Sequence, residues 1–173
     1  MPIEFRESPT RKQLTAVEKA MRLLARRAYS ENELIRKLRS CSCYSAGEIR
    51  EAVEVCRKHR FLDDELLAQD YARILNERNC GSYKIRMQLK KRGIPDALAE
   101  NAVGELQELE FEAAMRAFDY KSRMLSRETD PFKKRQKIYR YLASKGFSQE
   151  LICACMEQER PSAPDENIDS GLL

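Results

Sequence analysis

"GSYKIRMQLKKRGIPDALAENAV", residues 81–103, carries five basic residues and no acid in its first twelve positions. It reads as a helix, a Gly-Ile turn and a second helix. Ile85 and Leu89 stand one helical turn apart, so they share a face. Gly93 follows where a left-handed residue ends a helix at least cost, and Pro95 suits the first turn of the next. A related phrase, "KKRQKIYRYLASKGFSQELICACM", returns at residues 133–156, and "SENELIRKLRSCSCYSAGEI" at residues 30–49 is a third version. Aligned, Leu34, Ile85 and Ile138 coincide, as do Leu38, Leu89 and Leu142. The pair Gly93-Ile94 matches Gly146-Phe147, while the first version needs one extra residue to bring Tyr44 into place. The period is 51 residues and then 53.

Each version is flanked by further helical pattern. Val17, Met21, Leu24 and Ala28 precede the first; Leu67, Tyr71, Ile74 and Leu75 the second; Phe111, Ala114, Met115, Phe118 and Leu125 the third. Ile49, Val53 and Cys56, then Leu98, Ala102 and Leu106, then Leu151, Ile152, Cys155 and Met156 follow them. The expected fold is all-α: an elongated tandem array of three three-helix, helix-turn-helix-like repeats. The repeats span residues 15–62, 63–107 and 108–158, between a disordered tail at 1–14 and an acidic disordered tail at 159–173. Residues 104–110 form the weakest boundary. Ser30 with Glu33 and Ser45 with Glu48 fit the capping box, and Ser148 or Asp130 suits a cap in the third repeat. Three helices of about twelve residues bury little alone, so neighbouring repeats must support one another.

Composition narrows the function. No stretch of 18 apolar residues or secretory signal is visible, so the expected location is the cytoplasm, with no membrane partner and with the six cysteines reduced. His59, the single histidine, excludes a histidine relay and sits near a helix end. No Gly-rich phosphate cradle is present, so no nucleotide cofactor is implied. Cys41-x-Cys43 and Cys153-x-Cys155 have one intervening residue where zinc pairs prefer two to four; they read as core or loop thiols rather than a metal site. Asp63-Asp64 stands just before a helix and reads as a cap, not a catalytic pair. With no oriented nucleophile or base, the chain is expected to be no enzyme.

What remains is charge. The net charge is +4, yet residues 159–173 carry −3, leaving +7 on the rest. On the second helix of each repeat, the residues off the apolar face are basic. They are Arg36, Lys37 and Arg39; Lys84, Arg86, Lys90, Lys91 and Arg92; and Lys133, Lys134, Lys137 and Arg140. No acid falls between Pro131 and Gln149. Repeated basic faces suit a long anionic polymer, bound through phosphates in a salt-sensitive way without sequence preference. Solvated helix faces also carry Lys and Arg, and no reader of base edges is evident. Tyr83, Tyr139 and Tyr141 lie among the cations and either stack on bases or pack, with packing preferred.

The segment 60–103 resembles the RecX regulatory proteins. The resemblance lies in Phe61-Leu62-Asp63-Asp64, Ala68, Tyr71, Arg78, Gly81, Ile85, Leu89 and Arg92-Gly93-Ile94. "SENELIRKL" and "KIYRYLASKGFSQELI" extend it over roughly residues 15–158. The first repeat departs at "RSCSCYS", where a basic-Gly-aromatic turn is more usual. The resemblance implies a non-enzymatic protein that binds the RecA recombinase and its filament on single-stranded DNA; the chain itself is expected to be a monomer. It would limit filament extension, strand exchange, ATPase and coprotease activity, in DNA repair, recombination and the SOS response. On this reading the basic faces of the second and third repeats enter the filament groove, with weak non-specific DNA binding, and the acidic tail shields them in the free protein. The rival reading is a sequence-independent nucleic-acid-binding protein; a helical-repeat adaptor binding neither RecA nor DNA is the third.

Overall fold

The computed structural model describes residues 14–158, so both tails fall almost entirely outside the described residues. Among these there are nine helices and no strand: α1 (Ala16–Leu24), α2 (Glu31–Arg39), α3 (Ala46–Lys58), α4 (Asp64–Glu77), α5 (Ser82–Lys91), α6 (Asp96–Gly104), α7 (Gln107–Met124), α8 (Pro131–Lys145) and α9 (Gln149–Gln158). No described helix is long and apolar enough to cross a membrane. The chain forms two compact bodies. The first runs through Leu67 and includes Arg92–Ile94; the second holds Ala68–Lys91 and the chain from Pro95 onward.

In the first body α1 lies against α3, and α2 packs on both. Leu34 and Leu38 are fully buried, with Ile49, Val53 and Cys56 of α3 around them. The apolar stripe of α1 differs from the one the sequence suggests. Ala16 and Ala20 are buried, Val17 and Leu24 are half-buried, and Met21 is exposed. Ala28 lies beyond the end of the helix. Small side chains at the contact allow α1 to approach α3 closely, which the larger Met would prevent. Ser30 with Glu33 and Ser45 with Glu48 form complete capping boxes, and Thr15 with Glu18 adds one that the sequence reading missed.

In the second body Ala68, Ala72, Leu75, Ile85, Leu89, Ala99, Ala102 and Val103 are buried. α7 packs on α8 and α9 around Phe118, Ile138, Leu142, Ile152 and Cys155. Asp130 caps α8 through the amides of Phe132 and Lys133, and Ser148 accepts from the Leu151 amide. Only Glu105 and Leu106 separate α6 from α7. Gly93 and Gly146 have φ of +78° and +88°, the left-handed values expected of them.

The basic-Gly-apolar turn makes a joint of the same kind inside each body, a role that sequence reading missed. In the first body the Ser30 hydroxyl donates to the Arg92 carbonyl, and Asn32 Nδ2 donates to the Gly93 carbonyl at 2.6 Å. In the second, the Gly81 amide donates to the Lys145 carbonyl at 2.9 Å and the Tyr83 amide to the Gly146 carbonyl at 3.2 Å. Each time, carbonyls at a helix C-terminus meet donors at a helix N-terminus, so unpaired groups and opposite dipole ends satisfy each other. A carboxylate completes each joint. Asp64 Oδ1 accepts from the Glu31 amide at 2.9 Å, and Glu110 accepts from the Ser82 amide at 2.7 Å and its hydroxyl at 2.6 Å. The first repeat's own turn makes no such joint among the described residues. Its "RSCSCYS" turn instead packs Tyr44 on its own core and donates the phenol to the Leu14 carbonyl.

Of the two aspartates read as caps, Asp63 caps its own helix through the Leu66 amide, whereas Asp64 serves α2. Burial pushes the Asp64 carboxyl up; the Glu31 amide opposes this, and the Glu31, Asp63 and Glu33 carboxylates add to it. A raised carboxyl binds its proton more tightly in the folded state, so its ionisation opposes folding near neutrality. Asp64→Asn keeps the acceptor and removes the charge. The variant is expected to match wild type within about 0.5 kcal/mol at pH 7, or to exceed it, with the difference moving in favour of wild type as pH falls. Urea melts at pH 7 and pH 5 check this; a clear loss at pH 7 would show that the charge itself supports the joint.

Candidate polyanion interface

The second helices bury the pairs predicted for them, which turns the basic residues outward. On α2, Arg36, Lys37 and Arg39 are exposed and make no ion pair among the described residues. Arg36 and Lys37 border a cleft of about 310 Å³ shared with Arg27 and Tyr29. The Arg27 guanidinium lies 3.6 Å over the Tyr29 ring and pairs with Glu33 at 3.1 Å. Held by these two contacts, Arg27 is a cation the sequence reading passed over.

On α5 the partners vary. Arg86 pairs with Glu100 at 2.8 Å, and Lys90 stands 4.0 Å from Asp96. Lys84 Nζ donates to the Ser144 carbonyl at 3.2 Å, and Lys91 makes no ion pair among the described residues. Arg92, just past α5, is part of the first body, where its guanidinium meets Glu33 at 3.0 Å and the Ala28 carbonyl at 2.8 Å. On α8, Lys133 pairs with Asp130 at 3.5 Å and Lys137 with Glu128, while Lys134 and Arg140 make no ion pair among the described residues. The unpredicted Arg135 shares with Lys134 the rim of a 270 Å³ pocket floored by Phe118, Ile138 and Met156.

The acid-free runs of sequence are therefore not acid-free surfaces. Asp96, Glu100, Glu128 and Asp130 arrive from flanking turns and the next helix. Exposed pairs of this kind contribute only about 0–1 kcal/mol each, so a phosphate or carboxylate on a partner can exchange for them. The half-buried Glu33–Arg92 pair differs in kind, because both partners have left most of the solvent. Burial pushes the Glu33 carboxyl up, but Arg92, Arg27 and the Ser30 amide together hold it below the usual carboxylate range.

The remaining candidates fall as follows. Tyr83 is 65% exposed, against the packing preferred for it; Tyr139 is at the edge of exposure, and Tyr141 is half-buried against the third core. Cys56, Cys80 and Cys155 are buried, and burial pushes the Cys56 and Cys155 thiols up. Cys43 and Cys153 are exposed and Cys41 is half-buried. His59 is the C-cap of α3 and stacks on Phe61 with ring centroids 6.1 Å apart.

Tandem three-helix repeats with cations on their outer helix faces define a class of all-α helical-repeat proteins. Family models of the first, second and third three-helix domains of RecX match residues 16–55, 63–103 and 108–156. The chain belongs to the RecX family. It is 33% identical over 142 residues to regulatory protein RecX of Chromohalobacter salexigens, covering 80% of this chain and 88% of that one. With regulatory protein RecX of Yersinia enterocolitica it shares 30% over 161 residues, 79% of this chain and 92% of the other. The Legionella pneumophila protein of that name is 28% identical over 148 residues, 85% and 96% of the two chains. The fold resembles the crystal structure of RecX from Lactobacillus salivarius, with a TM-score of 0.75 and 24% identity over 83% of this chain and 93% of that one. A second crystal structure of regulatory protein RecX gives 0.73 at 21% identity, covering 82% and 70%.

Proposed function

We propose that the chain is a non-catalytic regulator that binds the RecA recombinase and its filament on single-stranded DNA. It limits filament extension and, with it, strand exchange, ATPase and coprotease activity in the cytoplasm. One observation carries this reading: all three repeats match domains of a regulatory family. The exposed cations of α2, α5 and α8 support it, since they suit the acidic protein surface and phosphate backbone that such a filament offers. The mechanism is stoichiometric binding through these faces, with any ATP chemistry left to the partner.

Charge reversal tests it. Among the basic residues of α5 and α8, Lys84 and Lys137 also hold local structure. Reversal of Lys91, Lys134 and Arg140 to Glu is cleaner, because none of these makes an ion pair among the described residues. The triple variant is expected to keep its circular dichroism and to need about ten-fold more protein for half-inhibition of RecA's DNA-dependent ATPase, a loss of about 1.4 kcal/mol. Undiminished inhibition would sink the placement.

The same free cations favour a second reading, a general binder of nucleic acid. Titration onto single-stranded DNA with and without RecA separates the two. Affinity for bare DNA that is strong and unchanged by RecA supports the second reading.

A further inference from the structure

The solvent face of α5 carries a combination for which the fold has no use. Tyr83 is 65% exposed and Met87 43%. Arg86, Met87 and Lys90 follow Tyr83 by three, four and seven residues, so the four side chains share the face opposite Ile85 and Leu89. At the N-terminal end of this face opens a cleft of about 560 Å³, with Tyr83, Arg86, Glu100, Gln107 and Phe147 among its walls. Its acids are already engaged. Glu100 pairs with Arg86 at 2.8 Å, and Glu110 accepts both the amide and the hydroxyl of Ser82. Arg86 offsets Glu100 but only neutral donors meet Glu110, so the cleft keeps one net negative charge and suits an uncharged group rather than a phosphate, with an aromatic at its mouth and cations further along the helix.

We infer that this face is a stacking platform for single-stranded nucleic acid. An unpaired base lies on the Tyr83 ring and enters the cleft, while the phosphates beside it meet Lys90 and Lys91. A base is flat and uncharged, as the cleft requires, and its volume falls well within this space. A duplex hides its base faces, so it cannot use the ring. A peptide would have to offer a ring and acids at matching intervals, whereas every nucleotide carries both a flat face and an anion. The inference rests on the nucleic-acid part of the function proposed above but not on RecA.

The test is an oligothymidylate carrying one 2-aminopurine, titrated with the full chain in the absence of RecA. The chain has no Trp, so the probe's emission is read without protein background. Wild type is expected to quench the probe. Tyr83→Ala should abolish the quench and weaken binding about 5- to 150-fold, the range for losing one base–aromatic stack. Tyr83→Phe should keep both, because the ring rather than the hydroxyl does the stacking. With the same strand annealed to its complement, Tyr83→Ala should bind as wild type does. The inference is overturned if wild type gives no quench, if Tyr83→Ala retains quench and affinity, or if the duplex shows the same dependence on Tyr83. A chain that passes yet leaves RecA activity untouched sinks the proposed function alone. A chain that inhibits RecA without a Tyr83-dependent quench sinks this inference alone.

Discussion

Gly81→Ala is expected to cost the second compact body about 3 kcal/mol or more, at the upper end of what overpacking costs. The reason is the spacing at its joint. A methyl added at Gly81 would lie 2.5 Å from the Gly146 carbonyl oxygen and 2.6 Å from both the Gly146 carbonyl carbon and the Phe147 amide nitrogen. All three are backbone atoms, so no rotamer change relieves the clash. The seat must open, and with it go the bonds from the Gly81 amide to Lys145 and from the Tyr83 amide to Gly146. The first body tolerates Ser30 at the aligned position because its hydroxyl, not its amide, reaches the Arg92 carbonyl, which leaves room for a side chain. Gly104→Ala is the control. Nothing lies within 4 Å of a Cβ there, so it should be neutral or add up to about 1 kcal/mol by restricting the unfolded chain. Urea melts followed by circular dichroism measure both; a Gly81→Ala chain within about 0.5 kcal/mol of wild type would mean that the backbones are not seated this closely.

That joint marks the limit of what the sequence makes legible. The second helices were readable because Leu34 and Leu38, Ile85 and Leu89, and Ile138 and Leu142 combine four-residue spacing with large aliphatic side chains, and all six are buried. Gly93 and Gly146 were readable because their backbone angle excludes other residues at low cost. The core face of α1 was misread because Ala16 and Ala20 carry little apolar weight in a pattern, although their smallness is what lets the helix pack. Gly81 was seen only as part of a resemblance, since the atoms that require it belong to residues 146 and 147. Partners across such distances leave no local period. The same cause explains the basic faces: runs that look unneutralised in sequence meet Glu100, Glu128 and Asp130, which the fold supplies from outside the run.

The second large effect is expected at Arg92, and it separates a joint from a binding face. In sequence Arg92 closes the run Lys90-Lys91-Arg92 and looks like one more surface cation. In the structure its side chain is 15% exposed and Glu33's is 16%. Its Nε meets Glu33 Oε1 at 3.3 Å while its Nη2 meets Oε2 at 3.0 Å and the Ala28 carbonyl at 2.8 Å. Arg92→Ala therefore leaves a half-buried carboxylate and a carbonyl short of donors. We expect a loss of about 3 kcal/mol, the low end for breaking a buried pair because some solvent remains. Arg92→Lys keeps the charge but not the fork and should lose about 1–2 kcal/mol. Glu33→Ala should cost a similar amount to Arg92→Ala, and the double variant less than the sum, with a coupling of about 1–3 kcal/mol. The pH dependence has a definite sign. Glu33 is held below the usual carboxylate range, so the pair stabilises the fold above that range and is lost as pH falls through and below it. The cost of Arg92→Ala should shrink accordingly in acid. A surface cation would behave otherwise: its removal would cost under about 0.5 kcal/mol at any pH and would alter only binding. If Arg92→Ala weakens the proposed inhibition of RecA while its melt stays that of wild type, Arg92 belongs to the proposed interface after all; if inhibition and stability fall together, the proposed run of binding cations on α5 ends at Lys91.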